Sequence, residues 1–229
     1  MKESLWQGSY SNSSALKSDH PQIRVMRTKF GVPVSDDDWK KTINFLRRKL
    51  RLTKDKRVLD LCCGNGLLSL EFAKYVKEVY AVDFTKSLIE ELDSHKISNV
   101  HTKIADVNSV EFSNNSFDVI IIYFSIQHFH KSETVRLITK AKTWLKKEGI
   151  IYIGDIPDEE KLWDFFYKEE FRHQYFEALK NSHPIVGTWF TKPFFKYLGK
   201  YLKFYKTEII EQKRYMINNH YRFDVLMKG

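Results

Sequence analysis

Apolar positions along the chain switch between a helical and an alternating or continuous period. From Asp38, Trp39, Ile43, Leu46 and Leu50 recur at helical spacing, behind acidic residues suited to a helix start. After Lys56 the period shortens: Arg57–Leu61 is a short apolar strand running into a Gly/Cys turn, and Leu67–Val76 is helical again. The alternation continues with a strand at Val79–Val82, a helix at Thr85–Ser94 and a strand at Val100–Ile104. Phe117–Tyr123 is apolar enough to be buried on both faces, Lys131–Lys146 is helical and Gly149–Ile153 is a strand. A helical insert follows at Asp158–Lys180, with another helix at Phe194–Leu202. Two strands, Phe204–Ile210 and His220–Met227, have little between them and pair antiparallel at one edge. Strands and helices in this order predict βαβ units and a doubly wound α/β fold. Met1–Asp37 is polar and irregular, an arm ahead of a domain spanning 38–229, and 158–203 is the insert that covers the cleft.

The 229 residues suit one domain with additions, and a hydrophobic fraction of 42% excludes a mainly disordered chain. The apolar run Val119–Phe124 falls far short of a membrane span, and Met1–Tyr10 lack the order of a secretory signal, so a cytoplasmic protein with no membrane partner is expected. Cys62 and Cys63 are adjacent and belong to no metal-ligating spacing, which argues against a disulfide scaffold and a zinc site; no metal ligands are assigned. Lys and Arg exceed Asp and Glu by 38 to 29, which suits an anionic partner. The excess is spread over Arg47–Arg57, Lys131–Lys147 and Lys192–Lys213, each readable as a solvated helix face.

In open α/β sheets ligands bind beyond the carboxyl ends of the strands. There the sequence sets Asp60-Leu-Cys-Cys-Gly64-Asn-Gly66 after the first strand, Asp83 after the second and Asp106 after the third. Glycine admits close backbone approach, and a following helix start offers free N–H groups. Asp83 stands nineteen residues beyond Gly64, the spacing at which an acid reaches a ribose diol. Asp60 would repel a dinucleotide pyrophosphate but attract a ligand carrying an ammonium and a sulfonium, as S-adenosylmethionine does. Opposite charges about 4 Å apart interact by about 4 kcal/mol at an effective dielectric near 20, so the sign decides.

These residues resemble the class I S-adenosylmethionine-dependent methyltransferases. Val58–Gly66 is similar to the family's first motif, with Cys62 where glycine is most common. Asp83 and Asp106 match its second and third acidic positions, Phe117–Tyr123 its fourth strand and Leu145–Ile153 its fifth-strand element. The resemblance covers roughly Lys40–Asp155. It implies a Rossmann-like, mostly parallel seven-stranded sheet with an antiparallel edge strand, and S-adenosylmethionine as cofactor. It also implies that Asp60, Cys62, Gly64 and Gly66 surround the methionine part and that Asp83 holds the ribose. Asp106 then meets the adenine amino group, and Phe84, Val107 and Tyr123 complete the cofactor site.

After the fourth strand the chain reads Tyr123-Phe-Ser-Ile-Gln-His128-Phe-His130. It lacks the Asn/Asp-Pro-Pro-aromatic sequence that related enzymes use on nucleobase amines. An oxygen acceptor must lose a proton, and a histidine suits that task. His128 is the first candidate base and Asp155 the second; His130 is expected to be exposed. The flanks Arg27–Pro33, Gly187–Phe190 and His220–Val225 are similar to small methyltransferases of bacterial polysaccharide and surface-glycan pathways. That similarity implies a small sugar-containing or anionic acceptor met by Arg27, Trp189, Tyr221 and Arg222, with Lys17 a further cation. The competing expectations are an RNA methyltransferase using a continuous basic stripe, and a cofactor-binding partner subunit without turnover.

Overall fold

The computed structural model describes residues 14–29, 31–182 and 184–229. Seven strands form one sheet: β1 (Arg57–Leu61), β2 (Glu78–Asp83), β3 (Val100–Ile104), β4 (Phe117–Tyr123), β5 (Leu145–Pro157), β6 (Lys206–Glu211) and β7 (Arg222–Lys228), in the order β3-β2-β1-β4-β5-β7-β6. β1 to β5 run parallel, and β7 is antiparallel to both of its neighbours. The short link from β6 to β7 forces those two to be antiparallel neighbours. β7 then slots between β5 and β6 because its residues are buried almost throughout, whereas β6 alternates toward solvent and closes the edge.

Helices cover both faces: α1 (Asp36–Lys49), α2 (Leu67–Ala73), α3 (Lys86–Ser94), α4 (Lys131–Trp144), α5 (Glu169–Lys180) and α6 (Lys192–Tyr201). α1 starts two residues before the apolar period does. The Ser35 hydroxyl accepts the Asp38 N–H at 3.2 Å, Asp36–Asp38 fill the first turn and Arg47–Lys49 the last, each sign matching the helix dipole. Strand alternation sorts the core into two layers. Val58 of β1 and Val119, Ile121 and Tyr123 of β4 face Leu46, Leu50 and Phe72; Leu59, Leu61, Ile120 and Ile122 pack with Leu137, Ile138, Trp144 and Phe223 on the other face. Asp60 shares the parity of Val58, so it is carried under α2 rather than out to solvent.

The expected insert helix is broken into a turn at Glu159–Lys161, a short helix at Leu162–Phe165 and α5. α5 has no buried residue, and Trp163, Tyr167 and Phe176 are exposed; among the insert's aromatics, Phe166 joins a satellite core with Trp189 and Tyr221. β5 runs several residues past Ile153 at its carboxyl end, because Ile156 and Pro157 find pairing partners in Phe223 and Arg222 from the far end of the chain. The described part of the arm holds a short helix at Pro21–Arg24 and a two-residue ribbon, Thr28–Lys29 against Val32–Pro33. Buried Gln22 ties it down, donating to the Val34 carbonyl at 3.1 Å and accepting the Val34 N–H at 2.8 Å. The first thirteen residues of the arm lie outside the described residues.

Candidate functional site

The strand order reverses between β1 and β4, and the space beyond their carboxyl ends is a cleft enclosing about 1180 Å³, part of it open to solvent. Its walls come from Asp60 of β1 and Cys62, Cys63, Gly64 and Asn65 after it, and from Asp83 at the end of β2 with Phe84 after it. Asp106, Val107 and Asn108 after β3, Tyr123 at the end of β4 with Phe124, Ser125, His128 and Phe129 beyond it, and Val25, Met26 and Arg27 of the arm complete them.

The turn after β1 is built for close approach. Cys62 stands at φ +60°, the left-handed region that favours glycine, and Gly64 follows at +57°. The Gly64 N–H donates to Asp83 Oδ2 at 2.9 Å, and the Thr85 N–H to Asp83 Oδ1 at 2.8 Å, so this carboxylate splices two strand ends together. A Cβ on Gly64 would lie 2.9 Å from Val25 Cγ1. Gly66 does not line the cleft. It caps α2 at φ +78°, and a Cβ there would lie 2.4 Å from Leu92, so its lack of a side chain lets α2 sit against α3.

Beneath the turn, two carboxylates are buried with no cationic partner among the described residues. Asp60 is 2% exposed and accepts the Ser69 hydroxyl at 2.6 Å. Burial pushes its pKa up to about 7, with the Asp83 charge adding to the rise and the Ser69 hydrogen bond opposing it. Asp83 is raised by the same burial, against its backbone hydrogen bonds. Burial and these acids hold the Cys62 and Cys63 thiols protonated, so neither is a ready nucleophile. Asp106 is half-buried at the rim beside buried Val107, its Oδ1 accepting the Asn108 N–H at 2.8 Å.

The opposite wall carries the opposite sign. Arg27 is 6% exposed, its guanidinium 4.5 Å from the Trp39 ring, 4.6 Å from Tyr123 and 5.9 Å from Phe124. Its Nε is buried without a hydrogen-bond partner, and no described carboxylate pairs with it. Tyr123 is kept neutral by burial, against the pull of this arginine. His128 lines the cleft partly exposed; burial, assisted by Arg222, draws its pKa down to about 4, so the ring is neutral at pH 7.

Asp155, Arg222, Trp189 and Tyr221 do not line this cleft. Asp155 is 1% exposed and engaged on all sides: Gln212 Nε2 donates to its Oδ1 at 3.1 Å, Asn218 Nδ2 to its Oδ2 at 3.3 Å, and its own N–H donates to Asp224 at 2.8 Å. Buried Arg222 donates to the Asp155 carbonyl at 2.6 Å and to Gln127 Oε1 at 3.3 Å, between the Phe124 and Tyr221 rings. Gln127 Nε2 donates to the Phe124 carbonyl at 3.0 Å and lies 3.5 Å from His128 Nε2. The network therefore braces the loop after β4 from behind. Trp189 and Tyr221 belong to the satellite core under the insert, and Lys17 is exposed away from the lining. Sequence reasoning passed over Asn65, Phe124, Ser125, Phe129 and Glu133, all of which line the cleft. Their one legible signal was position, within a few residues of a predicted strand end or helix start.

Comparison with known proteins agrees with this geometry. Residues 58–149 match the family model described as a methyltransferase domain. Over 117 residues, 48% of this chain and 46% of the relative, it is 30% identical to the uncharacterized methyltransferase YcgJ of Bacillus subtilis. Over 105 residues, 44% of this chain and 21% of the relative, it is 34% identical to phosphoethanolamine N-methyltransferase 1 of Triticum aestivum. The chain thus spans less than half the length of these curated relatives. A solved S-adenosylmethionine-dependent methyltransferase from Leishmania major superposes with a TM-score of 0.67 at 14% identity, covering 98% of this chain and 83% of that one. Residues 58–149 are thus similar to a methyltransferase domain, and the whole sheet has the fold of solved S-adenosylmethionine-dependent methyltransferases.

Proposed function

We propose that this chain transfers a methyl group from S-adenosylmethionine to a small-molecule acceptor, and that the methylated group is a hydroxyl of a sugar-containing or phosphate-linked molecule. One observation carries the cofactor reading: two buried carboxylates with no cationic partner among the described residues and a buried arginine with no described carboxylate beside it line a single cleft. A buried charge of either sign is costly until it is paired. S-adenosylmethionine answers all three, its ammonium and sulfonium toward Asp60, its ribose hydroxyls on Asp83 and its carboxylate toward Arg27, whereas a dinucleotide would set a pyrophosphate against Asp60.

The residues divide the work as follows. Asp60 supplies negative potential under the ligand's positive groups, and the turn at Cys62–Gly64 lets backbone approach it. Asp83 holds the ribose hydroxyls while keeping the Gly64 and Thr85 amides in place, and Gly66 fixes the helix start behind them. Asp106 meets the adenine amino group, with Phe84 and Val107 against the ring. Arg27 receives an anionic group, and the arm around it acts as a lid that excludes water. The bound donor supplies a methyl group activated on a sulfonium for in-line transfer. Tyr123 and Phe124 wall the acceptor against it, and His128, neutral at pH 7, accepts the hydroxyl proton.

A second reading, an amine acceptor, draws support from two observations. A base drawn down to about 4 has little pull on a hydroxyl proton, and a neutral amine attacks through its own lone pair without one. The wheat relative is named for an N-methylation of phosphoethanolamine. Tritiated methyl transfer, screened against sugar nucleotides, phosphorylated sugars, phosphorylated amines and total RNA, separates the readings. Label in a sugar hydroxyl supports the first reading and label in an amine the second. Label in RNA alone refutes both, and calorimetry showing no S-adenosylmethionine binding refutes the cofactor reading itself.

A further inference from the structure

The outer face of α6 carries chemistry that the cleft does not use. From Thr191 to Thr207 the chain holds five lysines and no acid. Phe195, Leu198 and Gly199 pack inward, which turns Lys196, Tyr197, Lys200 and Tyr201 outward as two adjacent i, i+4 rows. The chain doubles back at Phe204, whose N–H donates to the Gly199 carbonyl at 2.9 Å, and Lys203, Tyr205 and Lys206 extend the surface. Tyr197, Tyr201 and Tyr205 are 67%, 74% and 84% exposed. Lys192 is engaged by Asp158 and Glu211, and Lys206 by Glu208. Among the described residues Lys196, Lys200 and Lys203 enter no ion pair, and Lys200 lies 5.6 Å from the Tyr197 ring centre.

Three tyrosines so exposed, interleaved with unpaired lysines, make a surface that is at once basic and amphipathic. Tyrosine, with an apolar ring and a polar tip, suits the headgroup layer of a bilayer, and lysines next to it respond to anionic lipid. We propose that this face docks the protein on an anionic lipid surface, the lysines toward headgroup phosphates and the tyrosines at headgroup level. Single-stranded nucleic acid is the other polyanion with a taste for aromatics, but it is held in grooves and favours the planar fork of arginine. This face is the convex side of a helix, and its cations are all lysine. The contact is peripheral; among the described residues no helix is long and apolar enough to cross a membrane.

Co-sedimentation of the full chain with phosphatidylcholine vesicles, with and without phosphatidylglycerol, tests it without reference to any activity. The wild type is expected to bind the anionic vesicles at least tenfold better than the neutral ones, and less as salt rises. At about fivefold per lysine, Lys196→Ala with Lys200→Ala lowers that binding about twenty-five-fold. Tyr197→Ser with Tyr201→Ser lowers it several-fold and leaves the salt dependence. Unchanged circular dichroism and S-adenosylmethionine titration in both variants separate a lost surface from a lost fold. No binding to anionic vesicles, variants that bind as the wild type does, or capture of a single-stranded RNA with vesicles ignored would each overturn the proposal.

Discussion

Asp60→Asn keeps the shape of the side chain and removes its charge, and it should trade ligand affinity for stability. In the folded protein the carboxyl has a pKa of about 7 against an ordinary 3.8, so the folded state holds that proton about three powers of ten more tightly. At about 1.4 kcal/mol per power of ten, the buried charge costs the fold about 4 kcal/mol. The sign follows from the raised value: the cost is complete above pH 7, shrinks as pH falls and the folded protein takes up its proton, and vanishes below 3.8. Asparagine can still accept the Ser69 hydroxyl, but its new amide protons need partners, which returns about 1–2 kcal/mol. The variant should therefore be about 2–3 kcal/mol more stable at pH 8, a Tm rise of roughly 4–12 °C, with the gain fading toward pH 4. Its affinity for S-adenosylmethionine should fall at least about a hundredfold, since an interaction of about 4 kcal/mol is lost. Thermal unfolding of both proteins from pH 4 to pH 8, with calorimetric titration at pH 8, makes the test. A variant no more stable than the wild type at pH 8, or one that binds the ligand unchanged, refutes the claim that Asp60 is a buried charge held for a cation.

Asp83→Ala should abolish measurable S-adenosylmethionine binding, because it frees the Gly64 and Thr85 amides along with the ribose contact; Asp83→Asn, which keeps one acceptor oxygen, should lose less, and equal losses in titration would contradict the bracing role. Cys62→Gly should be tolerated within about 1 kcal/mol with binding kept, whereas Cys62→Val, a branched side chain at φ +60°, should cost about 2 kcal/mol in chemical denaturation; a neutral valine would mean the turn relaxes freely. His128→Ala should lower turnover by about 10²–10⁴ with donor affinity kept. In the wild type this group should leave kcat flat from pH 8 to pH 5 and depress it only as pH falls through about 4, when the ring gains its proton; a His128-dependent break between pH 6 and 7 would show the burial to be misjudged.

Much of the scaffold was legible because its causes are local. The switching period of apolar residues marked all seven strands, and Phe117–Tyr123 read as doubly buried because nothing polar but Asp118 interrupts it. Glycines after the first strand and acids after the next two marked the cleft. Errors gathered where distant chain segments meet. The carboxyl-terminal extension of β5 past Ile153 depends on β7, and the broken insert on a satellite core assembled from Phe166, Trp189 and Tyr221. Asp155 read as a cleft residue from its place at a strand end, yet Gln212, Asn218 and Arg222, far along the chain, close over it.

What the sequence settled alone was the order and type of the elements and the place where a ligand should lie, since backbone period and turn chemistry act between near neighbours. Tertiary structure decided the electrical character of that place. Arg27 became a buried cation with no described carboxylate beside it only when the arm folded over Trp39 and Tyr123, and Asp60 acquired its raised pKa only when α2 sealed it from water. Burial and pairing are sums over the whole surroundings of a group, and no window of sequence contains them.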